Sequence, residues 1–284
     1  MNYRHIYHAG NFADVFKHVI LARIIAYLKR KEAAFRVIDT HAGIGLYDLG
    51  SEEAQKTGEW RGGIGRLLDA SPKGGGATLL EDYLATVRAL NPEGGIRLYP
   101  GSPLLARHLL RRQDRLTAVE LHPQDAQSLK ELFAGDHQVR VIELDGWLAL
   151  GAQLPPKEKR GLVLVDPPFE EEGEFARMVD GLKKAHRRWP GGIYAFWYPI
   201  KDRAAVERFR QSLREAGIAK TLDASLSIRA ASPEARLDGS GMVIVNPPFV
   251  LHEELSEILP VLARLLREDE GATWSLDRLT TEAA

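Results

Sequence analysis

"TLDASLSIRAASPEARLDGSGMVIVN", residues 221–246, holds two strand-like runs, 221–229 and 239–246, joined by a loop of about ten residues. A parallel crossover needs a helix between its strands, and this connection is too short to hold one. The two runs therefore read as antiparallel neighbours. Upstream the pattern differs. "FRVID" (35–39), "LTAVEL" (116–121), "QVRVIEL" (138–144), "GLVLVD" (161–166) and "GIYAFWY" (192–198) are short buried strands separated by helical patterns of ten or more residues. That alternation marks a parallel sheet with helices on both faces. The expected fold is α/β, a mostly parallel sheet closed by one antiparallel strand.

At 284 residues, 44% hydrophobic and 27% charged, the chain can bury a full core, which excludes disordered and collagen-like readings. The longest apolar stretch, "VILARIIAYL" (19–28), is broken by Arg23 and too short for a bilayer, and "MNYRHIYHAGN" lacks a secretory apolar region. A cytoplasmic protein without a membrane segment is expected. The absence of cysteine excludes disulfides, thiolate nucleophiles and Cys-ligated metal. No His/Asp/Glu cluster has ligand spacing, so no metal is expected. The net charge of −1 argues against binding a polyanion by bulk charge. Locally, residues 1–36 hold seven Lys/Arg against two acids, and "KKAHRRW" (183–189) is a second basic cluster. Such clusters are either the footprint of phosphate contacts or solvated helix faces.

After "HAG", Asn11 with Asp14 resembles a capping box, and Val15, Val19, Ala22 and Ala26 form one stripe of a helix running to about Lys31. The first parallel strand ends on Asp39 and turns into "THAGIG" (40–45), where Gly43 and Gly45 would let a ligand approach the backbone. In a dinucleotide fold the ribose-binding acid follows about 20 residues later. Here the candidate, Glu120, comes some 80 residues after Asp39. Residues 47–97 therefore read as a small helical insertion, with 1–46 and 98–284 forming the main domain.

Glu120 and Asp145 lie at successive strand ends, along the crevice where such sheets bind ligands. Glu120 could accept two ribose hydroxyls and Asp145 an adenine amino group. The plainer reading of each acid is a helix N-cap. The loop lacks the third glycine of G-x-G-x-x-G, and no basic residue beside Glu120 could take a 2′-phosphate. A ligand without phosphate fits better. S-adenosylmethionine is one, and its sulfonium cation suits an acidic pocket.

The fourth strand stops on "DPPF", Asp166 to Phe169. An aromatic exocyclic amine is a poor nucleophile because its lone pair is delocalised into the ring. Asp166 and the carbonyl of Pro167, held by fixed proline φ angles, could accept its two hydrogens, and Phe169 could stack on an extruded base. A near copy, "NPPF" (246–249), ends the antiparallel strand at the opposite sheet edge. Asn246 is therefore read as a structural turn and Asp166 as the catalytic position.

"DPPF" resembles the (D/N/S)-P-P-(Y/F/W) motif of amino methyltransferases, whose class I architecture the sheet pattern also resembles. "YRHIYHAGNFADVFKH" (3–18), "DTHAGIGLYDLGSEEAQKTGE" and "YPGSP" (99–103) are similar to the RlmJ family of bacterial large-subunit (23S) ribosomal RNA adenine-N6 methyltransferases, over nearly the whole chain. The resemblance implies a donor pocket of Lys17, His18, His41, Ser102, Glu120, Asp145, Gly146 and Asp166, catalysis at Asp166, and RNA contacts by Tyr3 and Arg4. Taken alone, His18 reads as a helix-face histidine, Ser102 as an N-cap before Pro103, and Tyr3 as a terminal residue packed on the core. A monomer is expected. Two alternatives stay open: a methyltransferase acting on DNA adenine or protein glutamine, and an RNA-binding protein of this fold without turnover.

Overall fold

The computed structural model describes residues 4–234 and 236–281. After a 3-10 turn at His5–Tyr7, helix α1 (Phe12–Leu28) leads to β1 (Arg36–Asp39) and the short β2 (Leu46–Asp48). The stretch between β2 and β3 carries α2 (Glu52–Thr57), α3 (Ile64–Ala70), α4 (Gly75–Thr78) and α5 (Glu81–Ala89), and returns through β3 (Leu98–Pro100), which pairs antiparallel with β2. The chain continues through α6 (Ser102–Leu109), β4 (Arg115–Glu120), α7 (Pro123–Leu132), β5 (Val139–Glu143), α8 (Gly146–Ala152), β6 (Gly161–Val165), α9 (Glu174–Arg188) and β7 (Ile193–Ile200). It closes with α10 (Arg203–Glu215), β8 (Thr221–Ser227), β9 (Gly239–Val245), α11 (Leu251–Leu266) and β10 (Thr273–Thr280).

The main sheet has the order β10-β8-β9-β7-β6-β1-β4-β5. Strands β1, β4, β5, β6 and β7 are parallel, and β9 is inserted antiparallel between β7 and β8. This is the class I methyltransferase sheet, and β9 is the reversed strand anticipated from sequence. The expectation of one reversed strand needs a correction, because β10 also runs antiparallel, to β8. Its sequence, "TWSLDRLT", lies on an edge that is half exposed, so no apolar run marks it.

Side chains alternate across the sheet and build a core on each face. Val37, Leu162, Leu164, Ala195 and Ile244 join α1, α6, α11 and the helices between β2 and β3. Ile38, Val163, Val165, Phe196 and Val243 join α8, α9 and α10. The helices between β2 and β3 have no separate core: Ile64, Leu67, Tyr83 and Val87 belong to the same apolar cluster as α1.

Covered on both sides in this way, α1 is buried around almost its whole circumference rather than along one stripe. Its charged residues must then be paired. Arg23 binds Glu254 through Nε and Nη2 (2.9 and 3.0 Å) and Asp82 through Nη1 (3.1 Å), tying α1 to α11 and α5. The helix stops at Leu28, short of Lys31, where the guanidiniums of Arg160 and Arg111 take the carbonyls of Leu28, Lys29 and Lys31. At the other end Asn11 caps α1 through the N–H groups of Ala13 and Asp14. The box is not reciprocal, since Asp14 accepts from the N–H of Gly10 instead of Asn11 (2.9 Å).

Candidate functional site

A cleft of about 810 Å³ runs over the carboxyl ends of β1, β4 and β6. It is lined by Lys17, His18, His41, Gly43, Ser102, Glu120, Asp145, Gly146, Asp166, Pro167 and Phe169, so these candidates converge in space from six separate segments. Arg4 is exposed at the N-cap of the 3-10 turn and does not line the cleft. Tyr3 lies outside the described residues.

One half of the cleft is organised around the glycine loop. Gly43 has φ +61°, and a side-chain carbon there would meet the Tyr47 hydroxyl at 2.5 Å. Its N–H donates to Glu120 Oε2, and the His122 N–H donates to Oε1, both at 2.8 Å. Two backbone donors thus fix the carboxylate in the cleft, while each oxygen keeps a lone pair for a ligand hydroxyl. Burial raises the Glu120 pKa, and the two backbone bonds oppose the rise.

Asp145 is both N-cap and cleft residue: its Oδ1 accepts from Trp147 and Leu148 (2.7 and 3.1 Å). Gly146 lets the start of α8 press on the glycine loop, for a side-chain carbon there would sit 2.4 Å from the Thr40 carbonyl. His41, at that contact, is pushed down to about 4 by burial, with Asp166 and Asp145 opposing. Its ring is therefore neutral at pH 7.

Ser102 does not cap its helix as the plainer reading had it. Gly101 is the N-cap, and the Ser102 hydroxyl donates to Asp39 Oδ2 at 2.6 Å. Asp39 is wholly buried at the end of β1 and is raised to about 6 by burial, with the Ser102 bond opposing. His18 lies on a face of α1 that is covered. It is 1% exposed, its ring stacks on Tyr99 at 5.6 Å, and its Nδ1 meets the Tyr99 hydroxyl at 2.8 Å. Its Nε2 is buried without a hydrogen-bond partner among the described residues. An unpartnered buried nitrogen beside a cleft is costly unless a ligand meets it. Taken together, a carboxylate fixed by backbone donors, an unpartnered buried imidazole nitrogen and a glycine loop without a phosphate cradle fit S-adenosylmethionine.

Glu120→Gln should weaken donor binding about 10-fold or more, since hydrogen bonds to a charged group contribute about 1.5–3 kcal/mol, while leaving the rate at saturating donor largely intact. Calorimetric titration of the donor checks this, and an unchanged dissociation constant would contradict it. A second expectation concerns acid stability. Burial pushes His18 down to about 3, against about 6.5 when unfolded. The unfolded chain therefore takes up this proton first, and the stabilisation from neutral His18 is lost as pH falls below about 6.5 toward 3. His18→Gln should lose less stability than wild type between pH 7 and 4, measured by denaturant unfolding. Equal losses would refute the assignment.

The other half of the cleft surrounds Asp166. Lys17 Nζ lies 2.5 Å from Asp166 Oδ2 and 2.9 Å from Asp14 Oδ1. Asp14 in turn accepts from His5 Nε2 at 2.9 Å. Burial alone would lower the Lys17 pKa, but Asp14 and Asp166 outweigh it and hold the ammonium well above its ordinary value. Among the described residues, Oδ1 of Asp166 has no hydrogen-bond partner. Phe169 adopts φ +51°, an outlier for an aromatic residue, and packs on Phe175 (5.1 Å) and Trp197 (6.1 Å). Asp14, Asp39 and Trp197 are cleft or near-cleft partners not picked out from the sequence.

The second motif falls elsewhere. Asn246 follows β9 at the end of the strands opposite the glycine loop, with φ +52° and its amide donating to the carbonyls of Pro190 and Gly192 (2.8 Å each). It is a turn. The basic clusters are also relocated. Lys17, Arg23, Arg30 and Arg36, four of the seven cations of the N-terminal cluster, are engaged in ion pairs with Asp166, Glu254 and Glu158. Lys183, Lys184, Arg187 and Arg188 are exposed at the carboxyl end of α9, beside the Asn246 turn and away from the cleft. They complement the negative end of that helix.

Comparison with known proteins agrees with this geometry. A family model described as "Ribosomal RNA large subunit methyltransferase D, RlmJ" matches residues 32–280. The chain is 41% identical over 286 residues to "Ribosomal RNA large subunit methyltransferase J" of Haemophilus influenzae, covering 99% of this chain and all of that one. It is 42% identical to the protein of the same name from Escherichia coli K12, with 92% of each covered. The solved structure of protein LPL1258 from Legionella pneumophila is similar with a TM-score of 0.87 at 33% identity, covering 95% of this chain and 98% of that one. With its class I sheet, its donor cleft and a full-length match to these relatives, the chain belongs to the RlmJ family of S-adenosylmethionine-dependent ribosomal RNA methyltransferases.

Proposed function

We propose that the chain methylates the exocyclic N6 amine of an adenine in the 23S RNA of the large ribosomal subunit. The observation that carries the reading is Asp166, held in the cleft by Lys17, with its second oxygen unengaged among the described residues and followed by two prolines. S-adenosylmethionine supplies an electrophilic methyl group when bound. The chain's own part is to position and polarise. Glu120 fixes the ribose, and His18 offers its bare nitrogen to the donor. On the acceptor side, Asp166 Oδ1 and the Pro167 carbonyl would each accept one hydrogen of the amine. They would thus oppose delocalisation of the lone pair and stabilise positive charge as it develops on nitrogen. Phe169, locked between Phe175 and Trp197, presents a ring for an extruded base, which chemistry on a base inside a helix requires.

The relatives' names specify large-subunit ribosomal RNA, which supports RNA over DNA or a glutamine side chain. No helix of the described residues is long and apolar enough to cross a membrane. We further take the enzyme to act in the cytoplasm, as a monomer and without a metal. Offering labelled donor with unmodified large-subunit RNA, DNA and protein in parallel tests the proposal. Transfer to the RNA alone is expected, and transfer to DNA or protein in its place would overturn it.

A further inference from the structure

We propose that Lys201 contacts a backbone phosphate of the RNA strand that carries the target adenine, a role that rests on the acceptor being RNA. The cleft is an unfavourable place for a polyanion. Ten carboxylates line it against five cations. Four of those cations are already engaged: Lys17 with Asp14 and Asp166, Arg177 with Glu171 and Glu174, Arg229 with Asp238 and Glu268, and Arg236 with Glu268. Lys201 is exposed and makes no ion pair among the described residues. An ammonium free of carboxylates is the group on this rim best able to attract phosphate.

Its place in the sheet fits the same role. Strand β7 lies beside β6, and Phe196 pairs with Val165, so Trp197 is level with Asp166. Lys201 follows four residues on, about 13 Å along the strand direction at roughly 3.3 Å per residue. An extruded base would reach down to Asp166 and Phe169, while its own backbone stays at the mouth, where Lys201 stands. Across that mouth is the N-terminal turn. His5 and His8 of that turn line the same cleft as Lys201. The strand would thus pass between Lys201 and the turn bearing Arg4.

The test measures initial rates against RNA concentration at several salt concentrations for wild type, Lys201→Ala, Lys201→Arg and the control Lys184→Ala. Lys201→Ala should raise the KM for RNA several-fold and reduce the slope of log KM against log salt by roughly 0.7, one phosphate contact on a single strand. Its rate at saturating RNA and its donor affinity should not change. Lys201→Arg should restore the slope, and Lys184→Ala should match wild type. A wild-type KM and slope for Lys201→Ala, or an equal change for Lys184→Ala, would overturn the role of Lys201 alone. No transfer to RNA by the wild type would overturn the enzyme's proposed substrate and this role with it.

Discussion

Asp166→Ala is expected to bind S-adenosylmethionine within about threefold of wild type and to transfer methyl on the order of 10³-fold more slowly, about 4 kcal/mol of transition-state stabilisation. The two effects separate because donor and acceptor use different atoms. The proposed ribose carboxylate is Glu120, held by the N–H groups of Gly43 and His122, and neither bond involves Asp166. On the acceptor side, Asp166 is proposed as one of two acceptors for the amine, and the Pro167 carbonyl alone could not oppose delocalisation through both hydrogens. Fold effects should stay small. Lys17 retains its 2.9 Å contact with Asp14 when Asp166 is truncated, so the buried ammonium keeps a counter-charge. Single-turnover rates and calorimetric donor titration on the same preparation provide the check. A transfer rate near wild type would remove Asp166 from the chemistry.

Lys17→Met should damage both stability and activity. The ammonium is buried between two carboxylates, Asp14 and Asp166, whose side chains are 2% and 14% exposed. Removing the cation leaves Asp14 with His5 and the Gly10 N–H as its remaining partners, and leaves Asp166 with none among the described residues. Loss of one partner from a buried ion pair costs about 3–5 kcal/mol, which for a chain of this size lowers Tm by about 10 °C. Transfer should also fall, because the Asp166 carboxylate would no longer be fixed by its 2.5 Å contact with Lys17. A Tm within about 2 °C of wild type would show that the buried pair contributes little.

The parallel strands were legible because strands covered on both faces read as continuous apolar runs. "GLVLV" is buried at all five positions. The antiparallel β8–β9 pair was legible from loop length alone. Strand β10 was not, since an edge strand with polar residues on an exposed face carries no hydrophobic period. In α1 the residues suggested a single stripe, yet burial surrounds the helix, because the helices between β2 and β3 and α11 cover a face that local sequence cannot know is covered.

The candidate site divides in the same way. Residues at strand ends, Glu120 and Asp166, could be placed by topology. Asp145 was equally a cap and a cleft residue, and it is both. Asp39 had a signal, an acid closing a strand before a glycine loop, but its bond to Ser102 joins residues 63 positions apart. Asp14 was absorbed into a capping box, while its larger role toward His5 and Lys17 is tertiary. Charge misled most. Counting Lys and Arg along the chain picked out Lys17, Arg23 and Arg36, which ion pairs consume, and passed over Lys201, which lines the cleft.

The most direct test is to transfer labelled methyl from S-adenosylmethionine to large-subunit ribosomal RNA lacking its modifications, then digest the RNA to nucleosides and identify the labelled one. Label in N6-methyladenosine is expected, from the wild type. Label in a ring-nitrogen, carbon or ribose-methylated nucleoside would contradict the assignment of Asp166 and the Pro167 carbonyl to the two hydrogens of an exocyclic amine.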